Sequence, residues 1–385
     1  RFEKEVFDPY VELLKAQYRI HPLFTHAKRM WEEKLIYNEL VNGPYLEKSQ
    51  SYKAGEPLSS LHLQETTIAT INKKLGNRDL WQHQTKAINL LQKEKNAIIA
   101  TGTSSGKTLC YQIPILDDLL RDSSPGLRAI IIYPLNALVN DQLREWGDIL
   151  RDHNQITFAR FTSQTPASQE HYEEQLKWTL REQWANKGHT KQQLEIIINQ
   201  ELEKELKKIP SNCLTNREAI RLNPPHILIT NFSMLEYLLV RPIDAPIFQN
   251  ARLKFLVLDE AHSYRGIQAT EIAFLIRRLK ERLNIERLIC IATSATLGDK
   301  DDSESTEKVR GFASKLFEEE FDESNPIYGT PAEPVLQKPS FRPTPNQYVN
   351  IVKKLQNKEQ VDFSKHFNIN LPSGSLSEIL YHDEN

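Results

Sequence analysis

The sequence predicts an α/β fold built on a mostly parallel β-sheet. Short runs rich in apolar and β-branched residues alternate with longer stretches whose apolar residues recur at helical spacing. The predicted strands are Ala97–Ala100, Ala129–Tyr133, Ile156–Arg160, His226–Thr230, Phe255–Leu258 and Leu288–Ala292. Most of these runs lack a polar alternation, which is typical of parallel strands covered by helices on both faces.

Composition narrows the class of protein. The 385 residues include 39% hydrophobic and 26% charged residues, enough for a packed core, and the formal net charge is −2. Nucleic-acid binding would therefore depend on a local surface rather than on bulk charge. The chain lacks the run of about 18 apolar residues that predicts a membrane span, and the charged opening Arg1–Tyr10 is unlike a signal peptide. The widely spaced cysteines favour reduced thiols and a cytoplasmic location.

Three segments are expected along the chain. Residues 1–79 are predicted to be helical and irregular, and residues 80–300 to form the α/β domain. Residues 301–385 are predicted to be a partly helical tail. Around its start, Asp299–Glu307 reads as an acidic, solvated loop, and Val309–Phe317 is predicted to be helical.

A charged insertion at about 167–209 interrupts the α/β domain. Two apolar stripes with a four-residue period predict a helical hairpin. The stripes are Leu176, Leu180 and Trp184, then Leu194, Ile198, Leu202 and Leu206. The favoured interpretation is that the stripes pack on each other; binding a protein partner or guiding DNA is the alternative.

A glycine-containing loop follows the first predicted strand and opens a helix. Its residues are Thr101, Gly102, Thr103, Ser104, Ser105, Gly106, Lys107 and Thr108. Small residues let main-chain N–H groups turn toward a phosphate, and the helix N-terminus adds a favourable dipole. Lys107 would bring positive charge to the β- and γ-phosphates, and Thr108 would offer a hydroxyl to Mg²⁺. The loop therefore predicts a site for ATP and Mg²⁺, with Thr101 standing where the general pattern has Gly or Ala.

A pair of acids ends the apolar strand Phe255–Leu258. Ligands bind at the carboxyl ends of the strands in sheets of this kind, and buried acids are costly unless a cation or water uses them. Asp259 could hold Mg²⁺, and Glu260 could orient and deprotonate the water that attacks the γ-phosphate. His262 could link these acids to the groups that bind DNA. The alternative is an acidic turn after a strand.

Two weaker signals flank these motifs. Ser294-Ala295-Thr296 follows the apolar run Leu288–Ala292, so Ser294 and Thr296 are candidates for coupling. Gln84 precedes the loop strand, and its amide could pair with the donor and acceptor on the edge of adenine. A solvated glutamine at a helix start is the alternative for Gln84.

The order of these motifs resembles the first RecA-like domain of DEAD/DEAH-type superfamily 2 helicases. The resemblance covers about 80–300 strongly and 40–60 weakly. Finer features are similar to bacterial MrfA-like repair helicases and to large helicases of bacterial defence systems. The segments that carry the resemblance are Gln84, Thr101–Thr108, Tyr133–Leu138, Thr230–Leu235, Asp259–Gly266, Ser294–Thr296 and Asn42–Glu47.

This resemblance implies contacts with one DNA strand at Pro134, Asn136, Thr230 and Asn231. Main-chain groups and short polar side chains suit backbone contacts, which fix register without reading bases. A helix cap after a strand is the alternative for Thr230-Asn231. The resemblance also implies a second RecA-like domain, in this chain or another, that supplies arginines to the hydrolysis step. Residues 301–385 are too short for it, so we expect the sequence to be the N-terminal part of a longer bacterial polypeptide.

The expected function is an ATP-driven DNA helicase or translocase, in repair or anti-phage defence. A non-catalytic or split subunit that binds ATP or DNA as a scaffold is a second hypothesis, which the intact Lys107, Thr108, Asp259 and Glu260 disfavour. An RNA helicase is a third, since DNA is favoured only by analogy.

Overall fold

The computed structural model describes Arg29 and residues 52–332, apart from 77, 103–104, 185–190 and 296–301. Residues 51–334 form one compact unit. Expectations for 1–50 and for the end of the tail fall outside the described residues. None of the described helices combines the length and the apolar character that a bilayer span requires.

Helices and strands alternate along this unit. The helices are α1 Glu65–Leu75, α2 Gln82–Gln92, α3 Lys107–Arg121, α4 Asn136–Leu150, α5 Gln169–Trp184, α6 Lys191–Lys208, α7 Arg217–Leu222, α8 Phe232–Val240, α9 Pro246–Gln249, α10 Ile267–Leu283 and α11 Ser303–Phe317. The strands are β1 Ala97–Ala100, β2 Ala129–Tyr133, β3 Phe158–Phe161, β4 Cys213–Leu214, β5 Ile227–Asn231, β6 Phe255–Leu258, β7 Ile289–Ser294 and β8 Ile327–Tyr328. Short 3-10 turns occur at Leu58–Ser60, Pro242–Asp244 and Ala261–Ser263.

The strands form one eight-stranded sheet in the order β4-β3-β5-β2-β6-β7-β1-β8. The pairings between the eight described strands are all parallel, which confirms the predicted fold class. The predicted bounds of β1, β2 and β6 agree with the structure. The predicted start of β3 is wrong, because Ile156 closes a turn by donating from its main-chain N–H to His153 O at 3.0 Å.

Alternate strand residues pack into two separate cores, one on each face of the sheet. Ile98, Ile130 and Leu256 face α8, α10 and α11. Ile99, Ile131 and Val257 face α1 to α4. This division follows from the two-residue period of a strand and explains why the predicted strands lack polar alternation.

The insertion is a pair of helices, α5 and α6, as predicted. Leu180, Ile198 and Leu202 are buried together, with Leu176 and Leu194 packed against them. The stripes therefore pack on each other, which the favoured interpretation required. Trp178 and Ile196 lie outside this core and are 60% and 59% exposed.

The compact unit is longer at both ends than the predicted range 80–300. Helix α1 precedes that range and packs on α3, where Thr67 Oγ1 donates to Asp117 Oδ1 at 2.8 Å. Strand β8 pairs with β1 at the edge of the sheet. The prediction of a loop through Glu307 is wrong, because α11 begins at Ser303, where the Asp302 carboxylate accepts a hydrogen bond from Glu304 N at 3.0 Å.

Candidate functional site

The predicted motifs meet at the carboxyl edge of the sheet. Thr101 follows β1, Asp259 and Glu260 follow β6, and Ser294 ends β7. These three strands are neighbours in the sheet, in the order β6-β7-β1. Since parallel strands end at the same edge, residues far apart in the sequence come together there.

The loop between β1 and α3 turns sharply at Gly106, whose φ is +70°. The backbone conformation therefore favours glycine, and a β-carbon here would lie 2.5 Å from Gln84 Nε2 and displace that amide. The Thr101 and Ser105 hydroxyl oxygens are 2.6 Å apart and stabilise the two ends of the loop. Thr103 and Ser104 lie outside the described residues.

Lys107 is 9% exposed and lies between the loop and the acid pair. Its Nζ donates to Thr101 O at 3.2 Å and is 3.5 Å from Glu260 Oε1. A mostly buried ammonium group with one carboxylate beside it can hold a further anion, because its remaining N–H groups favour negatively charged acceptors.

Asp259 is a half-buried carboxylate, and among the described residues no cation lies within 4 Å of it in an ion pair. The pKa of Asp259 is raised to about 6, because burial and the negative charge of Glu260 together outweigh the Thr293 hydroxyl and Lys107, which lower it. A bound divalent cation would relieve this cost. The oxygen atoms of Asp259 and Thr108 are the hard ligands that Mg²⁺ prefers, so these residues fit the implied metal.

Glu260 has a left-handed backbone, with φ +50°, which turns the chain away from β6. Its Oε2 lies 3.2 Å from His262 Nδ1, and that nitrogen lies 3.1 Å from Ser294 Oγ. The structure therefore brings His262 and Ser294 together at the end of β7. Thr296, the third candidate for coupling, lies outside the described residues.

Thr293 is a site residue that was not predicted. Its hydroxyl accepts a hydrogen bond from Glu260 N at 3.2 Å and donates one to Asp259 Oδ1. The side chain is fully buried within β7. The available signal was a hydroxyl residue inside an otherwise apolar strand, directly before Ser294.

Gln84 lies against the phosphate loop. Its Oε1 accepts from Trp81 N at 2.8 Å, and its Nε2 donates to Gly106 O at 3.0 Å. The neighbouring His83, also not predicted, places Nε2 3.0 Å from Ser105 O. Both ends of the Gln84 amide are thus engaged by main-chain atoms, and the role predicted in adenine recognition stays a prediction.

The candidate nucleic-acid residues lie at the same edge, around the ends of β2 and β5. Asn231 Nδ2 donates to Asn136 Oδ1 at 2.8 Å, and Asn231 Oδ1 accepts from Met234 N at 2.8 Å, so Asn231 caps α8. Thr230 Oγ1 donates to Phe161 O at 2.7 Å, and the residue is fully buried. The Thr230 side chain therefore does not reach the surface, where the prediction had it contact DNA. Pro134 and Asn136 are partly exposed.

These features define a RecA-like P-loop domain. In this domain a strand, a glycine loop and a helix N-terminus lie beside an acid pair at the carboxyl edge of a parallel sheet. The chain belongs to the DEAD/DEAH box helicase family, whose model matches residues 81–303. The predicted family is thereby confirmed.

The chain is similar to curated proteins that are much longer. It is 33% identical to Druantia protein DruE of Escherichia coli (strain UMEA 4076-1), with 76% of this chain and 20% of that protein covered. It is 28% identical to the uncharacterized ATP-dependent helicase YprA of Bacillus subtilis (strain 168), with 62% and 25% covered. Among solved structures, the DUF1998 helicase MrfA bound to DNA and AMPPNP matches with a TM-score of 0.51 and 23% identity, covering 85% of this chain and 39% of that chain. The match to MrfA shows the shared fold.

Proposed function

We propose that this chain is the first motor domain of an ATP-dependent DNA helicase or translocase. The observation that carries the proposal is the meeting of Lys107 and Glu260, 3.5 Å apart, beside the half-buried carboxylate of Asp259. A triphosphate between the loop and the acid pair would meet a cation, a metal-binding carboxylate and a general base. That set is what phosphoryl transfer to water requires.

Each residue has a defined role in this proposal. Lys107 binds the β- and γ-phosphates, and main-chain N–H groups of the loop bind the β-phosphate. Thr108 and Asp259 would hold Mg²⁺, which would supply positive charge beside the phosphates. Glu260 orients the attacking water and accepts its proton.

The hydrogen bond between His262 and Ser294, with Glu260 Oε2 3.2 Å from His262 Nδ1, gives this half of the edge a route to the nucleic-acid loops. DNA would lie across the ends of β2 and β5, with Pro134, Asn136 and Asn231 near its backbone. Thr230 would stabilise this region from below, through its hydrogen bond to Phe161 O. MrfA, which shares the fold, is bound to DNA in its crystal structure, and this supports DNA over RNA as the substrate.

A second RecA-like domain would complete the hydrolysis site. The chain spans 20% and 25% of the two curated relatives, so each has ample further length for such a domain. Arginines from that domain are worth about 10³ to 10⁵ in rate in related phosphoryl-transfer enzymes. The similarity to Druantia protein DruE supports a role in bacterial anti-phage defence, and we propose that this role is carried out in the cytoplasm.

The test is the Glu260→Gln variant of the full-length protein. We expect it to bind ATP normally and to lose DNA-stimulated hydrolysis by at least about 100-fold, because the amide cannot accept the proton. ATP binding is measured by titration with a fluorescent analogue, and hydrolysis by phosphate release. Hydrolysis at the wild-type rate would exclude Glu260 as the base. A wild-type protein that binds ATP and DNA without hydrolysis would favour the scaffold alternative, and stimulation by RNA alone would favour an RNA helicase.

A further inference from the structure

Two buried phenols form a hydrogen bond between two parts of the site. We call these the nucleotide half, with Thr101–Thr108, Asp259 and Glu260, and the nucleic-acid half, with Pro134, Asn136 and Asn231. The hydroxyl oxygens of Tyr111 and Tyr133 are 2.6 Å apart. Tyr111 lies on α3, one helical turn after Thr108, and Tyr133 is the last residue of β2, directly before Pro134. The two residues are 0% and 1% exposed, so water does not compete for this bond.

The Tyr111 end of the pair lies beside the proposed metal ligands. Burial raises the pKa of Tyr111 well above its usual value, and the negative charge of Asp259 raises it further. Hydrogen bonds with Tyr133 and Thr108 act in the opposite direction. Tyr111 is therefore linked to Thr108 through the first turn of α3 and lies within the electrostatic range of Asp259.

The Tyr133 end of the pair leads into the proposed DNA contacts. Pro134 and Asn136 follow Tyr133 directly, and Asn136 is hydrogen-bonded to Asn231 at 2.8 Å. One residue before Tyr133, Ile132 O accepts from Asp259 N at 2.9 Å. The end of β2 is thus hydrogen-bonded to Asp259 through its main chain and to α3 through the Tyr133 hydroxyl.

Burial makes this bond sensitive to small movements. A hydroxyl group in a dry core costs free energy unless it is paired, and each of these hydroxyls has the other as a close partner. If α3 moved relative to the end of β2, both groups would lose that partner at once. Two phenylalanines would fill the same space but would not form this hydrogen bond. The hydroxyl groups therefore serve to hold the segment of α3 that carries Thr108 at a fixed distance from the loop that carries Pro134.

We propose that the Tyr111–Tyr133 pair positions α3 against the loop after β2 and thereby couples metal-nucleotide binding at Thr108 to DNA binding at Pro134 and Asn136. Both tyrosines act through these neighbours and neither contacts the substrates. The inference rests on the proposed function, since it needs ATP at one end and DNA at the other.

The experiment measures the stimulation ratio, which is the rate of ATP hydrolysis with single-stranded DNA divided by the rate without it. The full-length protein is compared with Tyr111→Phe, Tyr133→Phe and the double variant. We expect each single variant to lower the ratio by about 5-fold, the low end of usual coupling between sites. The double variant should lose no more than either single variant, because all three lack the same bond.

Tyr264→Phe is the matched control. Its hydroxyl is also buried near Asp259, and it has no hydrogen-bond partner among the described residues. This variant should keep the wild-type ratio. A role in stability alone predicts that the Phe variants unfold at lower temperature with an unchanged ratio, and that result overturns the coupling. Losses that add in the double variant also overturn it. A wild-type protein without stimulation by DNA would reject the proposed function itself, together with the coupling.

Discussion

The two halves of the carboxyl edge are built from different chemistry. On the nucleotide half, Lys107 and Glu260 form an ion pair at 3.5 Å beside the half-buried Asp259. On the nucleic-acid half, the neutral amides of Asn136 and Asn231 are hydrogen-bonded to each other at 2.8 Å. The difference fits the proposed substrates, since a triphosphate with a metal needs strong fixed charges. A DNA strand that moves along the protein needs weaker contacts that do not depend on its base sequence.

Removing the charge from the nucleotide half should have the largest effect. Lys107→Ala is expected to lower ATP hydrolysis by at least about 100-fold, the usual loss when a group that stabilises the reacting charge is removed. Steady-state phosphate release measures this. Lys93→Ala, at an exposed residue near the end of α2, is the control and should keep the wild-type rate. Equal hydrolysis rates for Lys107→Ala and Lys93→Ala would show that the charge of Lys107 is not needed for hydrolysis. The proposed difference between the two halves would then be wrong.

Asp259 should make the stability of the folded protein depend on pH. Its folded pKa of about 6 lies above the ordinary value of 3.8, so the protonated form stabilises the fold. This contribution is fully present below about pH 4 and is lost as pH rises through 6. Without metal, Asp259→Asn should therefore be more stable than wild type at pH 8, by roughly 1–3 kcal/mol. The gain should shrink at pH 5, where wild-type Asp259 is itself mostly protonated.

Urea unfolding at the two pH values, with a chelator present, measures this difference. A gain of equal size at pH 5 and pH 8 would show that Asp259 ionises normally. A gain that vanishes when Mg²⁺ is added to the wild type would support Asp259 as a metal ligand, because a bound cation stabilises the folded state that holds it.

The nucleic-acid half can be tested by separating capping from DNA binding at Asn231. Asn231→Asp keeps an oxygen that accepts from Met234 N, and a negative charge at a helix N-terminus is favourable. The carboxylate cannot donate to Asn136 Oδ1, so the Asn136 amide has to turn and donate in its place. We expect thermal stability close to that of the wild type with DNA affinity lowered by about 10-fold, since the carboxylate repels phosphate. Fluorescence anisotropy at fixed salt measures the affinity. Unchanged affinity would leave Asn231 with only its capping role.

The helical insertion should show the smallest effect on the site. Ile198→Ala removes the fully buried side chain from the contact between α5 and α6. We expect faster hydrogen exchange across both helices and an ATP hydrolysis rate within about 2-fold of wild type, because the insertion has a hydrophobic core of its own. A large fall in hydrolysis would show that the hairpin takes part in the motor. Trp178→Ala, at an exposed position on α5, provides the comparison for a surface role.

Local patterns were sufficient where each residue's role depends on its neighbours in the sequence. The strand bounds of β1, β2 and β6 followed from continuous apolar runs. The phosphate loop followed from small residues between a strand and a helix. The two-residue strands β4 and β8 were not predicted, because they carry too short a pattern and exist only through pairing with β3 and β1.

The sequence by itself determined the parallel α/β class, the helical hairpin, and the loop and acid box that place the chain in its family. These depend on periodicity and on short motifs, which survive without long-range information. Only the tertiary structure decided that Thr293 holds Asp259, that the Thr230 hydroxyl is buried, and that Tyr111 meets Tyr133. Such contacts arise where distant strands end side by side, because the order of strands in the sheet, and not the order of residues in the chain, determines which side chains touch.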